Sequence, residues 1–175
     1  KGRIKRAENL LQGILLYSRI GREKPEFEMT DINRLVEEVR ETLPENSTVK
    51  LCVTTNLPVI LTERLALLQV FSNLIVNAFK HHDKPDGFVK VYHREYVDHF
   101  EFFVEDNGPG IAPSYHTRIF VVFQTLRERD AFESTGVGLA IVKKILDDRN
   151  LKITLRSEPA MGSIFSFEWP KSKKE

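Results

Sequence analysis

The sequence lacks the features that define several large classes of protein. It has 1 cysteine in 175 residues, so Cys52 can form no internal disulfide and offers no pair for a metal site. No apolar run approaches the ~18 residues of a membrane-spanning helix, and no signal-peptide pattern follows Lys1. The 26 basic and 25 acidic side chains nearly cancel, so nothing in the overall charge favours nucleic acid or a membrane surface as a partner. We therefore expect a cytoplasmic location, with any membrane anchor upstream of Lys1.

The composition is otherwise that of a globular domain. Apolar residues make up 41% of the chain and charged residues 29%, which is enough for one core and one further element. The 9 glycines and 8 prolines are too few for a low-complexity chain. Because the first residue is lysine, we expect the sequence to be a piece of a longer protein.

Residues 1–22 are expected to form an amphipathic helix. Apolar residues recur there at the a and d spacing of a packed helix: Ile4, Ala7, Leu11 and Ile14. Gly21 is predicted to end the helix, and residues 23–25 to form a polar linker. A single amphipathic helix cannot bury its own apolar stripe, so we expect it to pack on a missing helix or on a second copy.

The remaining sequence predicts an α+β fold. Asp31 is expected to cap one helix, and Thr62 to cap another that runs from Glu63 to Lys80. Strands are predicted at 26–29, 49–55, 88–96, 99–105, 151–157 and 163–169, with a further helix at 136–148. These runs indicate an α/β sandwich in which a mixed, mostly antiparallel sheet carries helices on one face.

The helix at 63–80 carries a polar stripe on a mostly apolar surface. Gln69, Asn73, Asn77 and Lys80 follow one another at spacings of 4, 4 and 3 residues. They therefore share roughly 80° of arc. For any single asparagine, a hydrogen bond to neighbouring backbone is the commoner explanation. Four polar residues in register also suit a hard cation bound to phosphates, because Mg²⁺ prefers oxygen ligands.

Two glycine-containing segments are candidates for ligand binding. The first, Asp106-Asn107-Gly108-Pro109-Gly110-Ile111, allows close approach to a flat ligand, and Asp106 can accept from an exocyclic amine. A plain surface turn explains this segment equally well. The second, Ser134-Thr135-Gly136-Val137-Gly138-Leu139, precedes a helix whose first amides and dipole favour an anion. A helix cap alone explains this second segment too, and no P-loop or Rossmann motif is present.

Taken in order, these motifs closely resemble the ATP-binding catalytic domain of sensor histidine kinases. The motifs are the asparagine helix, DNGPGI, the segment Arg118–Leu126, TGVGLAIVKK and the terminal MGSIFSFEWP. That domain has the Bergerat fold of the gyrase, chaperone, histidine kinase and mismatch-repair ATPases. Arg118–Leu126 looks most like the ATP lid of the phytochrome-type branch. The resemblance covers residues 26–170 and leaves 171–175 as a tail, while residues 1–22 resemble the second helix of a dimerisation and phosphoacceptor hairpin.

The resemblance implies a role for each motif residue. Asn77 would bind Mg²⁺, Asn73 and Lys80 would lie by the phosphates as helpers, and His81 would lie near adenine. Asp106 would accept a hydrogen bond from the adenine amine. The other nucleotide-binding residues that it implies are Gly108, Gly110, Ile111, Phe120, Thr135, Gly136, Val137, Gly138 and Leu139.

One position separates the branches of this superfamily. The hydrolysing members resemble one another in having a glutamate, their general base, one turn before the metal-binding asparagine. This sequence has Asn73 there, and an amide cannot take a proton at neutral pH. The resemblance therefore implies transfer of the ATP γ-phosphoryl group to a histidine. Residues 1–22 contain no histidine, so we expect the acceptor upstream and no self-phosphorylation by this piece.

ATP and Mg²⁺ are the cofactors that the resemblance implies. The implied partners are a response regulator receiver domain, the upstream phosphoacceptor helix and a second copy of the full-length protein. Nucleic acid and direct membrane contact are not expected. Ser134, Asn150 and Ala160 stand where the family usually has glycine, which leaves an alternative open. That alternative is a nucleotide-binding or degenerate signalling module of the same fold without kinase activity.

Overall fold

A computed structural model of the chain describes residues 2–22, 24–44, 48–122 and 136–171. Its helices are α1 (Gly2–Arg19), α2 (Ile32–Glu41), α3 (Arg64–Lys80) and α4 (Gly138–Asp147). Its strands are β1 (Glu28–Asp31), β2 (Lys50–Val53), β3 (Val59–Thr62), β4 (Phe88–Glu95), β5 (His99–Asp106), β6 (Ile153–Glu158) and β7 (Gly162–Pro170). Two short 3₁₀ turns, Pro113–Tyr115 and Arg118–Phe120, follow β5. None of the described helices is both long enough and apolar enough to span a bilayer.

Five strands form one mixed sheet in the order β2-β4-β5-β7-β6. Strands β2 and β4 pair in parallel, whereas β4–β5, β5–β7 and β7–β6 are antiparallel. Strands β1 and β3 form a separate antiparallel pair. The expected α+β class, with its mixed and mostly antiparallel sheet, is confirmed.

The core lies between the inner face of the sheet and the helices. Phe71 of α3 packs edge-to-face against Phe102 and Phe167, with ring centroids 5.4 Å apart in both pairs. Alternate residues of β4 and β5, such as Val91 and Val104, point to the same side and are buried. Because α3 buries its apolar side here, its polar stripe lies away from the aromatic cluster.

Helix α1 lies along α4, and glycines allow the approach. A Cβ added to Gly13 would lie 3.2 Å from Cγ1 of Val137. Further along, Gly21 has a φ of +79°, and an added Cβ would lie 2.6 Å from Oδ1 of Asp148. Between them, the Lys144 ammonium lies 5.3 Å from the centroid of the Tyr17 ring. The first helix and the turn after it therefore follow α4 from its N-cap, Val137, to its C-cap, Asp148.

Two local predictions at the ends of helices had different outcomes. The prediction for Asp31 is confirmed, since its Oδ1 accepts from the amide of Asn33 at 2.9 Å. The prediction that Thr62 caps α3 is wrong. Thr62 ends β3, a strand the sequence did not indicate, and its hydroxyl accepts from the indole N–H of Trp169 at 2.7 Å. A buried indole N–H needs an acceptor, and this hydroxyl supplies it.

Candidate functional site

A cavity of about 200 Å³ opens between α3, the start of α4 and α1. It is lined by Gly13, Ser72, Asn73, Val76, Asn77, Lys80, Val137, Gly138 and Ile141. The cavity therefore joins three residues of the polar stripe to two residues of the second glycine segment. These groups are far apart in the sequence, and the packing of α3 against α4 brings them together.

Asn73 fills two roles at the contact between these helices. Its amide nitrogen donates to the Gln69 carbonyl at 2.7 Å, which is the backbone bond expected of an isolated asparagine. Its Oδ1 faces Gly138, where an added Cβ would lie only 2.8 Å away. Glycine at position 138 is therefore what lets the first turn of α4 approach this oxygen.

The other polar groups lining the cavity have few protein partners. Across the described ranges, the structure gives the side chains of Asn77 and Lys80 no hydrogen-bond or ion-pair partner. Val137 is the N-cap of α4 and gives it no side-chain cap, so no capping side chain occupies the first amides of that helix. An ammonium and uncapped helix amides suit an anion, and amide oxygens beside them suit a hard cation.

Asp106 lies at the end of β5 and belongs to a tight turn. Its Oδ1 accepts from the amide of Gly108 at 2.8 Å. Burial raises the pKa of Asp106 above its usual value of 3.8, although the Gly108 hydrogen bond and the nearby His82 act in the opposite direction. The carboxylate is thus an acceptor held in a partly desolvated place, where a hydrogen bond from a ligand is worth more than in water.

The first glycine segment is attached to the β6–β7 turn by very close backbone contacts. Gly110 has a φ of +69°, and a Cβ there would lie 1.9 Å from the Glu158 carbonyl oxygen. Gly162 has a φ of +84°, and its Cβ would lie 2.0 Å from the carbonyl oxygen of Asp106. No other residue fits either position without moving backbone. The segment is therefore packed against the β6–β7 turn at the end of the central strand β5, and it is not a plain surface turn.

The remaining predicted site residues take various places. Phe120 packs edge-to-face on Phe165 at 6.4 Å, and Ile111 and Leu139 are half-buried against the core. His81 ends α3, where its amide donates to the Asn77 carbonyl at 3.2 Å. Thr135 and Ser134 lie outside the described residues, as does Phe123, which belongs to the predicted lid segment Arg118–Leu126. The ligand contacts assigned to the site residues stay predictions.

Two residues beside the site were not singled out from the sequence. Gly13 of α1 lines the cavity. The second is His82, whose Nε2 lies 2.9 Å from Oδ1 of Asn107 in the first glycine segment. A glycine inside a helical pattern was a signal that could have pointed to Gly13. Nothing local marks His82, because its partner is 25 residues away.

Sequence comparison finds one family model and several curated relatives. Residues 62–173 match the model for histidine kinase-, DNA gyrase B-, and HSP90-like ATPases. The phytochrome-like protein Cph1 of Synechocystis sp. is 35% identical over 166 residues, which are 93% of this chain and 22% of that protein. Cyanobacterial phytochrome A of Nostoc sp. is 31% identical over 170 residues, with coverage of 96% and 22%. The chain thus spans about a fifth of the length of these relatives.

Solved structures with a similar fold include several histidine kinases. Full-length ShkA in complex with AMPPNP matches with a TM-score of 0.78 and 26% identity, over 95% of this chain and 36% of that one. The catalytic domain of ThkA gives 0.68 and 27%, with coverage of 83% and 96%. ThkA in complex with the response regulator protein TrrA gives 0.72 and 25%, with coverage of 97% and 48%.

Proposed function

Because the chain belongs to the histidine kinase-, DNA gyrase B- and HSP90-like ATPase family, we propose that it binds Mg-ATP. It would transfer the γ-phosphoryl group to a histidine on another helix. It is an ATP-binding catalytic domain of the kind found in two-component sensor kinases. The observation that carries the proposal is the meeting of the α3 polar stripe with the uncapped start of α4 in one cavity.

We assign the two ends of the nucleotide to two parts of the molecule. The phosphate side consists of Asn73, Asn77, Lys80, Val137 and Gly138 around the cavity. The adenine side is the segment 106–111, where Asp106 would accept from the adenine amine. Burial of the Asp106 carboxylate supports the assignment. A desolvated carboxylate favours a base that presents an amine donor and strongly disfavours one that presents a carbonyl at the same position.

The donor set of the phosphate side fits a magnesium ion. Asn77 and Asn73 offer neutral amide oxygens, which suit an ion that takes its negative ligands from phosphates and keeps several waters. Asn77 would be the protein ligand, and Asn73 would face the phosphates from the preceding turn of α3. When bound, the ion would neutralise phosphate charge.

The residues of the chain would act by positioning and by charge stabilisation. The Lys80 ammonium and the first amides of α4 would bind phosphate oxygens, and Gly138 allows that helix end to lie close. Asn73 holds no proton-accepting group, so the site has no base at this position to activate water. A site that positions ATP without such a base favours transfer to an arriving nucleophile over hydrolysis.

We propose that the acceptor histidine lies on an upstream helix that packs against α1. In this proposal, residues 1–22 are the second helix of a hairpin and 26–170 form the catalytic domain. Leu11 and Leu15 of α1 are 60% and 57% exposed, which supports packing with a further helix and with a second copy. The similarity to the ThkA complex with TrrA supports a response regulator as the recipient of the phosphoryl group.

Calorimetric titration tests nucleotide binding. We expect micromolar-range affinity for Mg-ATP in the unmodified chain, and at least about a tenfold loss in Asp106→Asn. Asp98→Asn is the matched control, because Asp98 precedes β5 while Asp106 ends it. Absence of Mg-ATP binding by the folded chain would overturn the proposal and favour a module without kinase activity.

Phosphoryl transfer needs a second measurement. A separately produced helical hairpin from the full-length protein, carrying the acceptor histidine, is mixed with the chain and γ-labelled Mg-ATP. We expect acid-labile label on the hairpin, no label on the chain alone, and almost no steady release of phosphate. A chain that binds nucleotide but labels no hairpin would contradict kinase activity.

The alternative module without activity rested on replaced glycines. Asn150 and Ala160 have φ values of 54° and 65°, so both keep the left-handed conformation that glycine adopts easily. These replacements therefore preserve the backbone path, and Asn tolerates this conformation better than most residues. No observation in the described residues favours the alternative over the kinase.

A further inference from the structure

We propose that His82 is a positioning residue that fixes the adenine side relative to the end of α3 and thereby sets the preference for ATP over GTP. The inference rests on the proposed function, because it concerns the same nucleotide site. His82 follows α3 by two positions and is hydrogen-bonded to the first glycine segment. It therefore links the helix of the phosphate side to the adenine side.

The hydrogen bonds of His82 define one state of its ring. The amide of Lys84 donates to Nδ1 at 3.2 Å. Because a backbone N–H can only donate, Nδ1 must accept, and the ring proton of the neutral form lies on Nε2. Nε2 lies 2.9 Å from Oδ1 of Asn107, so it donates to that amide oxygen. Both ring nitrogens are thus used, one on the local turn and one on the segment 106–111.

Asn107 connects the His82 ring to the Asp106 carboxylate. Its Oδ1 also accepts from the amide of Phe88, at 2.8 Å, so both lone pairs of this oxygen are used. The Asn107 side chain is thus held between the first residue of β4 and His82. Asp106 precedes Asn107 directly, and Gly108 follows it and donates to the Asp106 carboxylate at 2.8 Å. Because Gly108 follows Asn107 directly, a shift of Asn107 would alter the Gly108 hydrogen bond that orients the Asp106 carboxylate.

Gly87 provides the space in which the ring lies. A Cβ at Gly87 would be 2.4 Å from Cε1 of His82, which no real contact allows. The φ of Gly87 is not in the left-handed region, so an alanine there causes no backbone strain. Its methyl group would clash only with the His82 ring. An alanine at position 87 therefore displaces the His82 ring without changing the histidine itself.

The position of the Asp106 carboxylate matters because it distinguishes the two purines. Adenine presents an amine donor at the position where guanine presents a carbonyl acceptor, and a carboxylate attracts the first and repels the second. Lys80 and Asn77 would hold the phosphate end of the nucleotide in place. If the Asp106 carboxylate is misplaced, its hydrogen bond to the adenine amine weakens, and so does its repulsion of the guanine carbonyl. Loss of the His82 bond should therefore lower ATP affinity and the ratio of ATP to GTP affinity together.

Substitutions can separate the two hydrogen bonds of His82. His82→Gln keeps a donor at the Nε2 position, whereas His82→Asn keeps an acceptor at the Nδ1 position and loses the donor. We expect Mg-ATP affinity to fall about 5- to 10-fold in His82→Asn and less than about threefold in His82→Gln. The ratio of ATP to GTP affinity should fall in His82→Asn and be retained in His82→Gln.

Gly87→Ala is the second, independent variant. It should reproduce the loss seen in His82→Asn, and adding it to His82→Ala should cause no further loss, because the ring that it displaces is absent. His93→Asn is the matched control. His93 is another half-buried histidine, bonded through Nδ1 to Thr55 at 3.1 Å, and its change should leave the ATP to GTP ratio unaltered.

Calorimetry with Mg-ATP and Mg-GTP, with urea unfolding of each variant, decides the outcome. A lowered ratio in His82→Asn and Gly87→Ala, but not in His93→Asn, supports the positioning role. If His82→Asn only lowers the free energy of unfolding and keeps the ratio, the role is structural and the inference is wrong. Failure of the unmodified chain to bind Mg-ATP would instead overturn the proposed function and this inference with it.

Discussion

The two sides of the proposed nucleotide site are held together in different ways. On the adenine side, Gly110 and Gly162 approach backbone carbonyl oxygens so closely that a Cβ would lie 1.9 and 2.0 Å from them. On the phosphate side, the comparable contact of Gly138 is with the side-chain oxygen of Asn73, at 2.8 Å from an added Cβ. A backbone carbonyl can move only if its strand moves, whereas an amide side chain can rotate.

This difference implies that protein stability and nucleotide binding are coupled on the adenine side. On the phosphate side the two can be changed separately. The adenine side is continuous with β5, β6 and β7, so a change at its glycine backbone contacts should disturb the sheet as well as the ligand. The phosphate side depends on polar side chains with few protein partners, so a change there should weaken binding and leave the fold intact.

The largest effect is expected from Gly110→Ala. The substitution combines a left-handed φ with a clash against the Glu158 carbonyl, which together cost about 3 kcal/mol or more of unfolding free energy. Gly138→Ala, the matched change on the phosphate side, should cost less than about 1 kcal/mol of stability, because the higher helix propensity of alanine offsets its contact with the rotatable Asn73 amide. It should weaken Mg-ATP binding several-fold. Urea unfolding and calorimetry measure both. Equal losses of stability in the two variants would refute the contrast.

Asp106→Asn should weaken binding without destabilising the fold at neutral pH. Burial raises the pKa of Asp106 above 3.8 in the folded chain, so the folded state binds this proton more readily than the unfolded state. The stability that the group contributes is present below 3.8 and is lost as the pH rises through the folded pKa. At about pH 7 the variant should therefore be at least as stable as the unmodified chain.

Urea unfolding across the acid range checks this prediction. The stability difference between Asp106→Asn and the unmodified chain should shrink as the pH falls through the raised pKa. Mg-ATP affinity of the unmodified chain should fall over the same range, because protonation removes the acceptor for the adenine amine. A variant that is clearly less stable at neutral pH would show that the Gly108 hydrogen bond outweighs the effect of burial.

A smaller effect on binding is expected from Gly13→Leu, which also disturbs the packing of α1 on α4. A leucine side chain at this position meets Val137 and enters the cavity, since even a Cβ would lie 3.2 Å from Cγ1 of that valine. We expect Mg-ATP affinity to fall about fivefold, with the ATP to GTP ratio unchanged, because only the phosphate side is disturbed. Gln12→Leu is the control, since Gln12 is exposed on the neighbouring surface of α1. A lowered ratio would show that the two sides are not independent.

Much of the fold could be predicted because its elements carry their own patterns. The apolar face of α3 and the alternation in β4 and β5 are local signals, and the structure bears them out. Strand β3 could not be predicted in this way. It has 4 residues, and its last one, Thr62, resembles a helix cap until Trp169 is placed beside it. The partner that decides its role is 107 residues away.

The site shows the same limit of sequence reasoning. Asn73, Asn77 and Lys80 could be grouped because one helix presents them in register, and the cavity brings them together with Gly138. The resemblance to a known family supplied the pairing with the second glycine segment, which periodicity cannot supply. His82 could not be predicted, because its role depends on a hydrogen bond to a strand end and not on its neighbours in the sequence.

The smallest effect is expected from Ala160→Gly in the β6–β7 turn of the adenine side. Ala160 has a φ of 65°, which costs an alanine about 1–2 kcal/mol, while glycine gives back about 0.5–1 kcal/mol through the entropy of its unfolded chain. The variant should therefore gain about 0.5–1 kcal/mol in urea unfolding. Asn150→Gly, at a φ of 54°, should gain less, because asparagine tolerates this region.

The Ala160 amide donates to the Pro109 carbonyl at 2.7 Å, a backbone bond that glycine keeps, so Mg-ATP affinity should not change. A fall in Mg-ATP affinity together with a rise in the free energy of unfolding would show that the alanine at position 160 helps to position the adenine side. The rigidity of that side would then depend on side chains as well as on backbone contacts.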